Sequence, residues 1–491
     1  MTSTYNELVK IDKTNRGLAN ISERSSWDQE TMMPSGAANQ RSEETAALQE
    51  VLHERRINPR IGELLEKAVA ENIKEKAKLK IIKREYERYK LIPTDLATEI
   101  ARVTSEANWI WVEARSEDNF SKFAPILKEV VNLKRQEAAA LSNDGELYNA
   151  LLSSYEWDLK SNDLEIKFNA MRKRLVSLRN KISGSSVPQV KLNFEFDEGK
   201  QMKVANLIAK KFQFDFHKGR IDKSVHPFSS GSGSDVRITT RTNVGDPFNC
   251  FYSTIHEIGH AMYEQNISEE YFLTALGNGV SLGIHESQSR IYENQIGRSK
   301  GFTSWLFNVM RQEFGDFGIS DEDQFYRLVN RVSQSFIRTE ADEVNYNLHI
   351  MLRFDLEKSI ISGELEVDDL EEAWNQRFYQ DFNVKVKKSS NGVLQDVHWS
   401  YGEFGYFPTY TLGNVYAGCL YEELRKSEKN LDSELAIGNT ASATQWLKNN
   451  VQVHGSLYEP EELIEKTCGK SPTEEPLLNY LEAKYKDLYN L

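Results

Sequence analysis

At 491 residues the chain is far above the length at which a hydrophobic core is hard to build, and length alone would allow two or three domains. A hydrophobic fraction of 39% and a mean hydropathy of −0.58 predict a soluble globular protein, and a formal net charge of −13 argues against nucleic acid or an anionic membrane as its main partner. No run approaches the roughly 18 apolar residues of a membrane span, the first ten residues lack a basic stretch followed by an apolar one, and three widely spaced cysteines (Cys250, Cys419, Cys468) read as reduced thiols, so the expected location is cytoplasmic.

Few prolines and glycines interrupt the chain, which suits long helices. An amphipathic pattern over 61–92 (Ile61, Leu64, Leu65, Ala68, Ala77, Ile81) stops at Pro93, and 94–143 continues as helical. Leu164, Phe168, Met171, Leu175, Leu178 and Ile182 keep a four-three spacing, which predicts a helix with a narrow apolar seam. Strand signals are sparse: Val190 to Phe196 alternates apolar and polar, and Asp235-Val-Arg-Ile-Thr-Thr240 is short and β-branched. Between them 197–213 reads as a helix, and Ser229-Ser-Gly-Ser-Gly-Ser234 as a flexible loop. The expected fold class is mainly α: one large domain over 1–491, with helices of 1–185 as a cover and a small sheet within 186–491. The 235–240 strand is expected to be an edge strand able to pair with a further extended segment.

The most informative stretch is Cys250-Phe-Tyr-Ser-Thr-Ile-His256-Glu257-Ile-Gly-His260-Ala-Met-Tyr. Side chains four apart share a helix face, so His256 and His260 can hold one metal ion, with Glu257 beside it to take a proton from a bound water. A catalytic zinc takes three protein ligands and keeps one position open. The metzincin continuation is excluded, because Tyr263 and Asn266 stand where its glycine and third histidine belong. A return helix in Gly283-Ile-His285-Glu286-Ser-Gln-Ser-Arg290-Ile-Tyr-Glu293-Asn offers Glu286 or Glu293, and spacing alone does not choose between them.

His256-Glu-Ile-Gly-His260 followed by His285-Glu-Ser-Gln-Ser-Arg290 resembles the carboxypeptidase Taq (M32) family of metallocarboxypeptidases. Trp27-Asp-Gln-Glu-Thr-Met-Met-Pro34, His226-Pro-Phe, Asp235-Val-Arg-Ile-Thr-Thr-Arg241, Ile337-Arg-Thr-Glu-Ala-Asp342 and Gly392-Val-Leu-Gln395-Asp396-Val-His398-Trp399 match the same pattern, in the family's order. The resemblance implies a large helical, neurolysin- or ACE-like fold with a deep groove and a small sheet near the metal helix. It implies one Zn2+ per chain on His256, His260 and Glu286, with Co2+ able to substitute, and a homodimer.

It further implies Glu257 as general base, Arg338 as the anchor for a free C-terminal carboxylate, and Gln395 in substrate binding. His398 and Tyr410, the latter in Phe407-Pro-Thr-Tyr410, are the candidates to stabilise the oxyanion. An arginine fork suits two carboxylate oxygens, and an acidic protein holding an anionic terminus needs such a cation. The expected activity is release of single C-terminal residues from peptides, with broad side-chain preference. The alternative is a helical oligopeptidase of the thimet type, which cuts internal bonds. The roles of Arg290, Asp342 and Asp396 are left open.

Overall fold

Helices dominate the computed structural model, which describes residues 4–491; the first three residues of the N-terminal stretch read for a signal peptide lie outside it. Among the described residues no helix is long and apolar enough to cross a membrane. The seam predicted for 164–182 forms the helix Ser161–Ser183, in which all six named apolar residues are buried. The 61–92 pattern is broken: Pro59–Lys67 and Ile73–Leu91 are separate helices, and 94–143 divides into Thr94–Ser116 and Phe120–Leu141. A helix also forms at Glu198–Lys211, where Asp197 accepts the Lys200 amide as its cap.

The chain folds into two compact units. The first comprises Met1–Lys90, Gln189–Asn330 and Tyr416–Pro472; the second comprises Leu91–Pro188, Arg331–Val415 and Thr473–Leu491. Within the second unit, Ser161–Ser183 packs on Tyr346–Ser362 and on the C-terminal helix Glu475–Tyr489, so segments far apart in sequence share one core.

The sheet belongs to the first unit. Its strands are β1 (Gly219–Lys223), β2 (Ser229–Ser232) and β3 (Asp235–Thr240), in the order β1-β3-β2. β3 pairs in parallel with β1 and antiparallel with β2, in the register Ser232 with Asp235. Three expectations are corrected here. β3 is the central strand, so it offers no free edge. The stretch expected to be a loop supplies β2, because Gly233 at φ 63° permits a two-residue hairpin turn. Residues 190–196 keep their alternating exposure without joining the sheet, the Phe196 amide donating to the Val244 carbonyl at 2.8 Å; only Phe196 is fully buried, against Phe314 and Phe317.

Candidate metal centre and active-site residues

The metal helix spans Pro247–Asn266, with proline in its first turn and Asp246 accepting the Phe248 amide at 3.0 Å. It lies in the first unit and is buried on most faces, including Phe251, Ile255, Ile258 and Met262. The return helix Leu282–Arg290 begins at Ser281, whose hydroxyl accepts the Ile284 amide. The two helices cross at Gly259, where an added Cβ would stand 2.5 Å from the Gln288 carbonyl oxygen and the Ser289 Cα. Only a residue without a side chain admits that approach.

This crossing brings Glu286 to the histidine pair. Its Oε2 lies 3.4 Å from His260 Nε2 and 3.7 Å from His256 Nε2. Ligand atoms of His256, His260 and Glu286 lie within 4.8 Å of one another, and among the described residues they are the one group of three or more His, Cys, Asp or Glu so arranged. Two imidazoles and a carboxylate fit a divalent ion and leave a coordination position open.

A second layer orients these groups. His256 Nδ1 meets Glu293 Oε2 at 2.9 Å, which turns Nε2 toward Glu286. Glu293 therefore sits behind His256 rather than among the three clustered donors. Burial pushes the Glu293 carboxyl up, but His256, Arg290 and Arg298 bring it down to about 2. His260 Nδ1 meets His285 Nδ1 at 2.6 Å, and His285 Nε2 meets Glu264 Oε1 at 3.0 Å. Burial lowers His260 to about 3, so its imidazole is neutral, the form a metal ligand requires.

Arg290 donates to Glu286 Oε1 at 2.6 Å and Ser289 donates to Oε2 at 2.9 Å. Burial opposes ionisation of Glu286, but Arg290 and His256 hold it well below the usual carboxylate range. Glu257 is the opposite case. Burial outweighs the attraction of His256, and with repulsion from Glu286 and Glu293 it raises this carboxyl to about 7.

The remaining candidates lie in the second unit. Arg338 occupies the short turn Arg338–Glu340, is 6% exposed, and does not pair with Asp342. Its Nε donates to Asp396 at 2.9 Å and its Nη1 to the Tyr346 hydroxyl at 3.1 Å. Asp396 also accepts from Arg353, and although burial opposes its charge the two arginines keep it ionised. The Tyr410 ring lies 4.9 Å from the Arg338 guanidinium carbon, and the Tyr410 hydroxyl is 3.2 Å from His398 Nε2. Burial, reinforced by Arg338, lowers His398 to about 3 and leaves it neutral.

Gln395 donates its amide hydrogens to the Phe336 and Asn391 carbonyls and accepts the Arg338 amide at its oxygen, which braces the Arg338 turn. Glu264 and Arg298 escaped the sequence reading. Glu264 continues the His256–His260 stripe by four residues, a signal that was present; Arg298 reaches Glu293 from beyond the turn Ile291–Ile296, and no local pattern announces it.

The sequence model of the carboxypeptidase Taq (M32) metallopeptidases matches residues 7–485. Thermostable carboxypeptidase 1 of Thermus thermophilus is 38% identical over 506 residues, covering 99% of this chain and 99% of that protein. Thermostable carboxypeptidase 1 of Pyrococcus furiosus is 37% identical over 94% of each chain. The crystal structure of the M32 carboxypeptidase from Deinococcus radiodurans R1 superposes with a TM-score of 0.96 at 33% identity, covering 99% of this chain and 100% of that one. Sequence and fold agree along the whole length, and the chain belongs to the carboxypeptidase Taq (M32) family as a metallocarboxypeptidase.

Proposed function

We propose that this metallocarboxypeptidase is a zinc enzyme that hydrolyses the C-terminal peptide bond of peptides with broad side-chain preference, the whole chain acting as one catalytic unit. The observation that carries the reading is the cluster His256, His260 and Glu286 on a helix that also bears the buried Glu257. Those three side chains would hold one Zn2+, or Co2+ in its place. When bound, such an ion supplies positive charge that acidifies water and polarises a carbonyl.

Glu257, at about 7, is matched to take a proton from the attacking water and return it to the leaving amine. Glu293 and His285 fix the ring orientations of His256 and His260. Arg338 anchors the substrate carboxylate: Asp396 and Tyr346 fix its plane, while its Nη2 has no hydrogen bond among the described residues. Gln395 acts through Arg338 by holding its backbone. Tyr410, set by the neutral His398, donates to the developing oxyanion.

A time course on one defined peptide tests this. Single C-terminal residues should appear from the free acid, none from the C-terminal amide, and none after chelation. Internal fragments, or equal cleavage of the amide, would instead favour the oligopeptidase. The proposed homodimer rests on the family resemblance and is tested by sedimentation. A cytoplasmic location is supported by Cys250, Cys419 and Cys468 being buried and outside any disulfide.

A further inference from the structure

Arg353 is the second arginine on Asp396, and no step described above uses it. It lies on Tyr346–Ser362 with no exposed side-chain surface. Its Nε and Nη2 both donate to Asp396 Oδ2, the first at 2.7 Å, and its Nη1 donates to the His349 carbonyl at 2.6 Å. Arg338 takes the other oxygen, Oδ1, at 2.9 Å. Among the described residues neither guanidinium forms an ion pair with any other carboxylate. Glu357, one helical turn beyond Arg353, accepts from Trp399, Tyr148 and the Gly405 amide, and burial keeps it protonated up to about 7.

Two cations therefore share one anion, and the neighbouring His398 is neutral, which leaves an excess of one positive charge. The surroundings are aromatic. Trp374 lies 4.6 Å from the Arg353 guanidinium carbon, and Phe407 lies 5.3 Å from that of Arg353 and 5.7 Å from that of Arg338. Such walls screen charge poorly, so the excess acts strongly on any group that arrives beside Arg338. If Asp396 faced Arg338 alone, the two charges would cancel, and an incoming carboxylate would meet a neutral pair.

We propose that Arg353 is a positioning residue for the C-terminal carboxylate of the substrate: it occupies Asp396, so that Arg338 keeps a net positive charge toward the peptide. The inference rests on Arg338 being the anchor. The row Arg353, Asp396, Arg338 then reaches neutrality only when a substrate carboxylate completes it. An amidated C-terminus leaves the excess unanswered, so the buried cluster selects against it as well as for the free acid. Arg353 does this without touching the peptide.

The test measures kcat and KM on one free-acid peptide, and inhibition by its C-terminal amide, with melting and metal content on every variant. Arg353→Met should raise KM for the free acid about 10–100-fold, change kcat much less, and leave inhibition by the amide near the wild-type value. Arg353→Lys keeps the charge and should stay within a few-fold of wild type. The double variant Arg353→Met/Asp396→Asn again leaves one excess positive charge and should recover most of the lost affinity, whereas a role in packing alone predicts a further loss. If Arg353→Met does not fold, the lysine and double variants decide. A wild-type KM in folded Arg353→Met, a KM in Arg353→Lys as high as in Arg353→Met, or no recovery in the double variant would overturn the proposal. Arg338→Ala, run in parallel, separates the two readings: a wild-type KM there removes the anchor itself, while a raised KM there beside an unaffected Arg353→Met removes only the part given to Arg353.

Discussion

Replacing Gly259 by alanine tests how the metal site is assembled. The new methyl would stand 2.5 Å from the Gln288 carbonyl oxygen and the Ser289 Cα, where ordinary contact begins near 3.4 Å. Both obstacles are backbone, so the helices Pro247–Asn266 and Leu282–Arg290 must part by roughly 1 Å. Overpacking of this kind costs about 1–3 kcal/mol, while alanine regains about 1 kcal/mol of helix propensity. The net loss of stability in the metal-free protein should therefore stay within about 2 kcal/mol. The consequence for the site is larger. Glu286 precedes Gln288 by two residues and its carboxylate closes the donor set at 3.4 and 3.7 Å, so it moves away from both imidazoles. A displacement of that size should cost about 100-fold in activity, with a fall in zinc affinity. Dialysis against buffers of graded free Zn2+, with metal content and kcat/KM read at each point, measures the effect; melting of the stripped protein separates fold from site. Wild-type zinc occupancy and turnover in a folded Gly259→Ala would refute the view that this close crossing builds the site.

Glu257→Gln should keep zinc yet lose about 10²–10⁴-fold in kcat; near-normal turnover with full metal content removes it as the base. Glu293→Gln should weaken zinc binding about 10–100-fold, read by chelator competition, because His256 loses its charged partner. Arg338→Ala should impair cleavage of free-acid peptides far more than it alters metal content, and survival of the preference for a free C-terminus would rule out the anchor. Glu357 gives a pH prediction. Burial raises its carboxyl to about 7 despite bonds from Trp399, Tyr148 and the Gly405 amide. A raised carboxyl favours the folded state in its protonated form, so its contribution is full below the ordinary 4.5 and is lost as pH rises through 7. The decline should amount to about 3 kcal/mol. Denaturant melts at pH 4.5 and 8 should show it in the wild type and a much smaller one in Glu357→Gln; equal declines would clear Glu357.

Features legible in the sequence share a physical origin. The placement of His256 and His260 on one face, and the buried seam from Leu164 to Ile182, follow from helix periodicity, which operates over a few residues and leaves its mark in spacing. The family resemblance works at the same scale, motif by motif. Long-range pairing leaves no such mark. Residues 190–196 alternate as a strand should, yet join no strand of the sheet, whereas the serine-glycine stretch 229–232 does because the hairpin turn delivers it to β3. Glu286 and Glu293 are equivalent by spacing; only the helix crossing at Gly259 sends one to the Nε2 side of the histidines and the other to Nδ1 of His256. Likewise Arg338 could have paired with Asp342 along a helix, but the chain turns there and Asp396, 58 residues away, takes its place. Local spacing determined which residue types were available for chemistry, and tertiary packing decided their partners, because a side chain's charge and orientation depend on neighbours contributed by distant parts of the chain.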